Sequence, residues 1–259
     1  MNKNFKFGFT LAEALMAMAI AGVIASLVVP SLVAGTQNRK HATSLGRSVE
    51  AIESGCQLLI QDASEKSTDG EFFGHIMINK TLDGHDIGTL NGDNVNTKSV
   101  VGQSKLFENA GSYFNATPVP SNNKTQYAKS VKNFDGGVPN PKFESIVTNM
   151  AYSEKLGAYY GVKFTKHEGK ISDHIADPLV ELIYIDVNGA NSPNRYGIDI
   201  FLFGLTDACH MIPAGTTRMK DFVKMMGATI PEEAKGCPKS GLACTARVVK
   251  DGYKINYKK

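Results

Sequence analysis

The sequence contains none of the compact motifs that identify common enzyme classes. It has no His-Glu-x-x-His pair, no Gly-x-Ser-x-Gly elbow, no phosphate-binding glycine loop and no dinucleotide fingerprint. The six histidines are scattered, and His167-Glu168 with His174 is the nearest approach to a cluster. We therefore predict that the protein is not an enzyme. A hydrolase with a dispersed site is the least favoured alternative.

The chain also lacks a strong charge of one sign. It has 28 Lys and Arg residues against 25 Asp and Glu residues, which gives a formal net charge of +3. Lys124, Lys129 and Lys132 form a local basic cluster, but the basic stripe typical of nucleic-acid binding does not accompany it. We predict no nucleic-acid partner and assign the cluster to a solvated surface.

Long apolar runs are absent, with one exception near the N-terminus. Residues 9–33 carry a single charge, Glu13, and exceed the roughly 20 residues that a helix needs to cross a bilayer. Lys3 and Lys6 precede the run without any acid, which predicts that the N-terminus stays cytoplasmic. A secretory signal peptide fits poorly, because its apolar region has only about 7 to 15 residues. A plain membrane anchor leaves Glu13 unexplained, since a carboxylate at the membrane centre costs roughly 2.5–3.5 kcal/mol.

The residues around Glu13 resemble a known export signal. Residues 6–13, KFGFTLAE, and the apolar residues after them are similar to the N-terminal signal of type IV pilins and type II secretion pseudopilins. The resemblance implies that a prepilin peptidase cleaves between Gly8 and Phe9, removes the leader at residues 1–8 and N-methylates Phe9. It also implies that Glu13 is an assembly contact whose carboxylate pairs with the Phe9 amine.

The partner of Glu13 can lie in the same chain or in another. On a helix Phe9 and Glu13 stand at i and i+4, so they can pair within one subunit. The resemblance favours the amine of a neighbouring subunit. Such a pair is weakly screened in hydrocarbon, so it would fix the axial register of stacked subunits.

The apolar span, residues 9–34, is predicted to pack against other membrane helices. Small residues let such helices approach closely, and the span contains Ala12, Ala14, Ala17, Ala19, Ala21, Gly22, Ala25 and Ser26. Gly22 and Pro30 predict a loosened or kinked helix, because Pro30 removes a backbone donor and crowds the preceding turn. Their ordinary frequency in membrane helices is an equally favoured explanation.

The helix is predicted to continue as an amphipathic segment over residues 35–62. Apolar residues recur there at spacings of three and four, at Ala42, Leu45, Val49, Ile52, Cys56 and Leu59. This stripe predicts that the second half of the helix carries a globular domain, residues 63–259. That region is long enough to form a core of its own.

The globular region shows its clearest pattern towards the C-terminus. Four segments rich in β-branched and aromatic residues are predicted strands, namely Tyr159–Phe164, Leu179–Val187, Ile198–Phe203 and Tyr253–Tyr257. The second and third are predicted to form an antiparallel hairpin. Phe222–Met226 is predicted to be a short helix. Residues 64–140 are read as irregular structure with brief strands or helical turns.

The predicted hairpin loop offers a candidate polar site. The loop from Asp186 to Asp199, DVNGANSPNRYGID, resembles a DxNG turn between two strands of some long pilin-like proteins, and the C-terminal GLACTARVVKDGYKINY resembles their closing strand. Asp186, Asn188 and Asp199 carry oxygens of the type that binds calcium, although the spacing falls short of an EF-hand loop. We favour a turn in which Asp186 and Asn188 bond their own backbone and Gly189 supplies a positive φ.

Four cysteines set the redox expectation. Cys237 and Cys244 enclose a short loop and are the predicted disulfide of an exported domain. Cys56 lies on the apolar stripe and Cys209 follows a predicted strand. They pair with each other or Cys56 is a buried free thiol, and both possibilities stay open. A zinc site is disfavoured, because the usual C-x2-4-C spacing is missing.

The resemblance implies an α+β, pilin-like fold with a long N-terminal helix on an antiparallel sheet. It implies a structural subunit, pilin or pseudopilin, of a type IV pilus or type II secretion pseudopilus. The alternative is a membrane-anchored exported binding protein that uses the same signal. The implied partners are prepilin peptidase, other subunits in a helical filament and the bacterial inner membrane, crossed once with the globular domain outside the cytoplasm. The long globular region favours a minor subunit. No cofactor is predicted, and calcium at the hairpin loop is the one alternative.

Overall fold

The computed structural model describes residues 10–66, 77–80, 101–104, 110–139, 143, 147, 149–164, 179–206, 208–219 and 240–255. The chain divides into two compact units, Met1–Lys40 and His41–Lys259. Each unit contains part of the first helix.

The first element is the long helix α1, Leu11–Lys66, of 56 residues. It continues through Gly22 and Pro30, so neither residue ends it. In the first unit, Leu11–Val29 has a mean hydropathy of 2.2, and none of it is buried. This segment is long and apolar enough to cross a membrane, as the sequence predicts.

The second part of α1 is amphipathic, and its apolar face is covered by the protein itself. Every residue of the predicted stripe is buried, namely Ala42, Leu45, Val49, Ile52, Cys56 and Leu59. Arg47 and Glu50 on the intervening face are exposed. The stripe lies on one buried face of α1, because its period matches that of a helix.

The second unit is built around a six-stranded antiparallel sheet. Its strand order is β3-β4-β5-β6-β7-β8, so each strand pairs with its neighbour in sequence. The strands are β3 Thr117–Pro118, β4 Asn149–Ser153, β5 Ala158–Phe164, β6 Leu179–Asp186, β7 Ile200–Thr206 and β8 Met211–Pro213. A separate antiparallel pair joins β1 Met77–Lys80 to β2 Val101–Ser104. The short helices are α2 Ala110–Phe114, α3 Ser121–Ser130 and α4 Cys244–Lys250.

Three of the predicted strands and their hairpin are confirmed. They correspond to β5, β6 and β7, and β6 pairs antiparallel with β7 in a register that places Ile183 opposite Phe203. Ile183 and Ile185 of β6 belong to the buried cluster that contains the stripe of α1. Leu182 and Tyr184 belong to a second cluster, which contains Tyr127 and Ala128 of α3. The central strands read as continuous apolar runs because both faces of the sheet are covered.

The predicted closing strand, Tyr253–Tyr257, is wrong over the residues that the structure describes. Instead α4 ends there, and the amides of Asp251 and Gly252 donate to the carbonyls of Arg247 and Val249. Gly252 and Tyr253 both have positive φ, +69° and +56°. Left-handed residues after a helix typically end it, so the Asp-Gly-Tyr sequence forms a helix terminus rather than a strand turn. The predicted helix Phe222–Met226 lies outside the described residues.

Candidate functional site

The start of α1 is closed by a reciprocal pair, Thr10 and Glu13. The Thr10 amide and hydroxyl both donate to Glu13 Oε2 at 2.9 Å. In return the Glu13 amide donates to Thr10 Oγ1 at 3.2 Å. This is a capping box, in which each side chain satisfies an amide that the helix leaves without an intrahelical partner.

Sequence reasoning assigned Glu13 to assembly and overlooked its role as a cap. The signal was present, because Thr-Leu-Ala-Glu matches the Ser/Thr-x-x-Glu pattern of a capping box. Glu13 lies in the first turn of α1, is exposed, and carries a negative charge near the positive end of the helix dipole. Gly8 and Phe9, its predicted neighbours in processing and assembly, lie outside the described residues.

Two hydroxyl groups of α1 bond carbonyls of their own helix. The Ser26 hydroxyl donates to the Val23 carbonyl at 2.7 Å, and the Thr36 hydroxyl donates to the Leu32 carbonyl at 2.9 Å. Such bonds satisfy the hydroxyl hydrogens without another chain. The helix therefore presents an apolar surface at Ser26, and the flexibility predicted at Gly22 and Pro30 stays a prediction.

The hairpin loop between β6 and β7 brings Asp186, Asn188 and Asp199 together. Asp186 ends β6, and its Oδ1 accepts the Asn188 amide at 3.0 Å. The Asn188 side-chain amide donates to Asp199 Oδ2 at 3.2 Å. Gly189 follows with a φ of +65°. Asp186 and Gly189 thus form the predicted Asx turn. Asn188 differs from the prediction, because its side chain bonds Asp199 rather than its own backbone.

Further donors converge on the two carboxylates. The Tyr127 hydroxyl of α3 donates to Asp186 Oδ2. Asp199 accepts the Asn194 amide at 2.9 Å through Oδ2, and the Arg195 amide through Oδ1. Every carboxylate oxygen of the pair therefore accepts at least one hydrogen bond. These bonds fix the loop to the end of the sheet and to α3.

Burial dominates the electrostatics of this cluster. It raises the pKa of Asp199 to about 6, although the amides of Arg195 and Asn194 oppose the shift. Burial, followed by the charge of Asp199, raises the pKa of Asp186 well above its ordinary value. Burial raises these pKa values because the ionised form of a carboxyl group is costly to remove from water.

Calcium at this loop stays a prediction. Oxygen ligands are present, but the carboxylate oxygens already accept hydrogen bonds from N–H or O–H donors. Among the residues that the structure describes, no group of three His, Cys, Asp or Glu side chains is arranged to hold a metal ion.

The disulfide pattern is partly decided by the structure. Cys56 of α1 is bonded to Cys209, with a Cα–Cα distance of 5.6 Å. Cys56 is therefore not a free thiol. Cys244 is also disulfide-bonded, and its predicted partner Cys237 lies outside the described residues.

Comparison with known families finds the prokaryotic N-terminal methylation motif at residues 3–29. This motif is the prepilin signal of type IV pilins and pseudopilins, which confirms the resemblance found in the sequence. No curated protein and no solved structure matches the chain. The signal, the long apolar helix and the antiparallel sheet together define an α+β, pilin-like protein. The motif supports an exported subunit of the type IV pilin or pseudopilin kind.

Proposed function

We propose that the protein is a structural subunit of a type IV pilus or type II secretion pseudopilus. The observation that carries the proposal is the methylation motif, placed on a helix whose first part exposes its apolar side chains. Prepilin peptidase removes residues 1–8 and methylates Phe9. Before assembly the subunit is anchored in the inner membrane. It then packs against other subunits through α1.

The exposed surface of α1 supports membrane residence followed by packing. Large apolar side chains between Leu11 and Val33 are exposed, with Leu11 at 78 % and Leu27 at 74 %. An apolar surface of this size requires lipid or protein to cover it. A membrane supplies the cover before assembly, and the helices of other subunits supply it afterwards.

Glu13 supports the same proposal through an exchange of partners. In the single chain its carboxylate accepts two hydrogen bonds from Thr10. In a filament the same carboxylate pairs with the methylated amine of a neighbouring subunit. The pair attracts more strongly in hydrocarbon than in water, so it selects one axial register. We further propose a minor subunit, because the region after residue 63 is long for a compact shaft subunit.

Replacement of Glu13 tests this function. Glu13→Ala is expected to be processed normally and to be lost from sheared filament fractions, measured by immunoblot against the membrane fraction. Glu50→Ala is the matched control, because Glu50 is an exposed acid on the same helix outside the apolar span. Full incorporation of Glu13→Ala would show that Glu13 is not an assembly contact. Absence of the wild-type chain from the filament fraction would favour a membrane-anchored binding protein instead.

A further inference from the structure

The second part of α1 is attached to the sheet by noncovalent contacts and by a disulfide bond. Its apolar stripe packs on the first buried cluster. Its polar contacts include Ser44 Oγ to the Leu156 carbonyl at 3.4 Å, the Tyr160 hydroxyl to Ser48 Oγ at 3.2 Å, and the Met211 amide to Glu53 Oε1 at 2.8 Å. The covalent bond is the Cys56–Cys209 disulfide.

The disulfide occupies a distinctive place along this attachment. Cys56 lies near the end of the stripe, with Leu59 as the last stripe residue after it. Cys209 lies in the tight turn between β7 and β8, where its amide donates to the Thr206 carbonyl. Both half-cystines are buried, at 0 % and 1 % exposure. The bond therefore joins the helix to the far edge of the sheet, and 153 positions of sequence separate its ends.

A pull on α1 from its N-terminal side loads the noncovalent contacts in sequence. As the helix peels from the sheet, Leu45 is loaded first, Ser48 about one turn later and Glu53 about two turns later. The peeling stops where the helix is covalently held.

We propose that the Cys56–Cys209 disulfide is a mechanical staple that carries force from α1 directly into the β7–β8 turn. Residues 57–208, which contain β1 to β7, then lie outside the path of a pull between α1 and the C-terminus. The staple therefore shields strands β3 to β7 of the sheet, whereas β8 lies between Cys209 and the C-terminus. The proposal rests on the proposed filament function only for the source of the pull.

Single-molecule force spectroscopy tests the staple on the full mature chain in a detergent micelle. One handle is attached at Gln37, which is exposed, and the other at the C-terminus. The oxidised protein is expected to extend without releasing residues 57–208. A Cys56→Ser, Cys209→Ser variant is expected to release them at lower force and to show about 500 Å of additional contour length, at roughly 3.3–3.6 Å per residue.

Two controls keep the test decisive. Cys237→Ser with Cys244→Ser removes the predicted short-loop disulfide and is expected to leave residues 57–208 protected. If the Cys56 and Cys209 variant does not fold at rest, a thiol reductant is added to the stretched wild-type chain. Each disulfide then takes up two electrons and two protons to give two thiols, and a step of about 500 Å should appear.

Two results would overturn the staple. One is release of residues 57–208 from the oxidised wild-type chain without reductant. The other is a double variant that holds these residues to the same force as the wild type. Neither result depends on filament assembly, so each is separate from a failure of the Glu13 experiment.

Discussion

The two parts of α1 have the same secondary structure and opposite surroundings. Up to Val33 its large apolar side chains are exposed, and from Ala42 onwards its apolar stripe is buried by the protein's own sheet. The first part has exposed apolar residues along its length, and the second buries an apolar stripe on one face. The difference teaches that the hydrophobic pattern of a helix indicates what will cover it. A helix that is apolar on all sides must be covered by lipid or by other protein segments.

Among the substitutions, removal of the disulfide that holds the second part of α1 should lower the free energy of unfolding most. Replacing Cys56 and Cys209 by serine is expected to lower the free energy of unfolding by about 3–5 kcal/mol, because the bond closes a loop of 153 positions. Urea unfolding followed by tyrosine fluorescence measures it, since the chain contains no tryptophan. An unchanged midpoint would show that the helix is held by packing alone.

A pair of alanine substitutions sharpens the comparison. Leu45→Ala is expected to cost about 2–5 kcal/mol, because Leu45 is 0 % exposed and a cavity remains. Leu27→Ala, at 74 % exposure, should change the unfolding midpoint of the second unit little, within about 0.5 kcal/mol. Equal effects from the two substitutions would contradict the division of α1 into two environments.

The buried acids of the β6–β7 loop predict a pH dependence within the second unit. The folded pKa of Asp199, about 6, lies above its ordinary value of 3.8, so the folded state favours the protonated acid. This contribution is fully present below pH 3.8 and is lost as the pH rises through 6, a change on the order of 3 kcal/mol. The raised pKa of Asp186 acts in the same direction.

Thermal unfolding between pH 5 and pH 8 measures this dependence. Asp199→Asn should flatten the dependence of the melting temperature on pH. The new asparagine side chain also lacks the second carboxylate oxygen, which accepts from the Asn194 and Asn188 donors. A melting temperature that rises with pH over this range would refute the assignment. Calcium chloride at pH 8 provides a second readout, because stabilisation by calcium that depends on Asp186 would support the predicted cation site.

The smallest effect is expected at the cap of α1. Thr10→Ala removes the capping box and should destabilise the first turn by about 1 kcal/mol. Amide hydrogen exchange at residues 11–14 should then be about fivefold faster in detergent. Thr36→Ala is the control, because its hydroxyl bonds the Leu32 carbonyl in the helix interior. Equal exchange in wild type and Thr10→Ala would show that the cap is not needed.

Local periodicity made part of the fold predictable from the sequence. The apolar span, the stripe from Ala42 to Leu59 and the strands β5, β6 and β7 follow from residue patterns at periods of 3.6 and 2. The signal around Glu13 is equally local, which is why a short motif identified it.

The sequence patterns did not predict the structure where contacts between distant residues, or competing local preferences, determine it. The pairing of Cys56 with Cys209 stayed open in the sequence, because no local pattern joins residues 153 positions apart. The β-branched and aromatic residues after Asp251 suggested a strand, but the left-handed Gly252 and Tyr253 end a helix that begins at Cys244. The hydrogen bond from Tyr127 of α3 to Asp186 likewise joins residues 59 positions apart in sequence.

Mass spectrometry of the mature N-terminus tests the central claim most directly. The account predicts a chain that lacks residues 1–8 and begins with N-methylated Phe9. A native chain that retains Met1, or one that begins near Gly35 after ordinary signal cleavage, would contradict it.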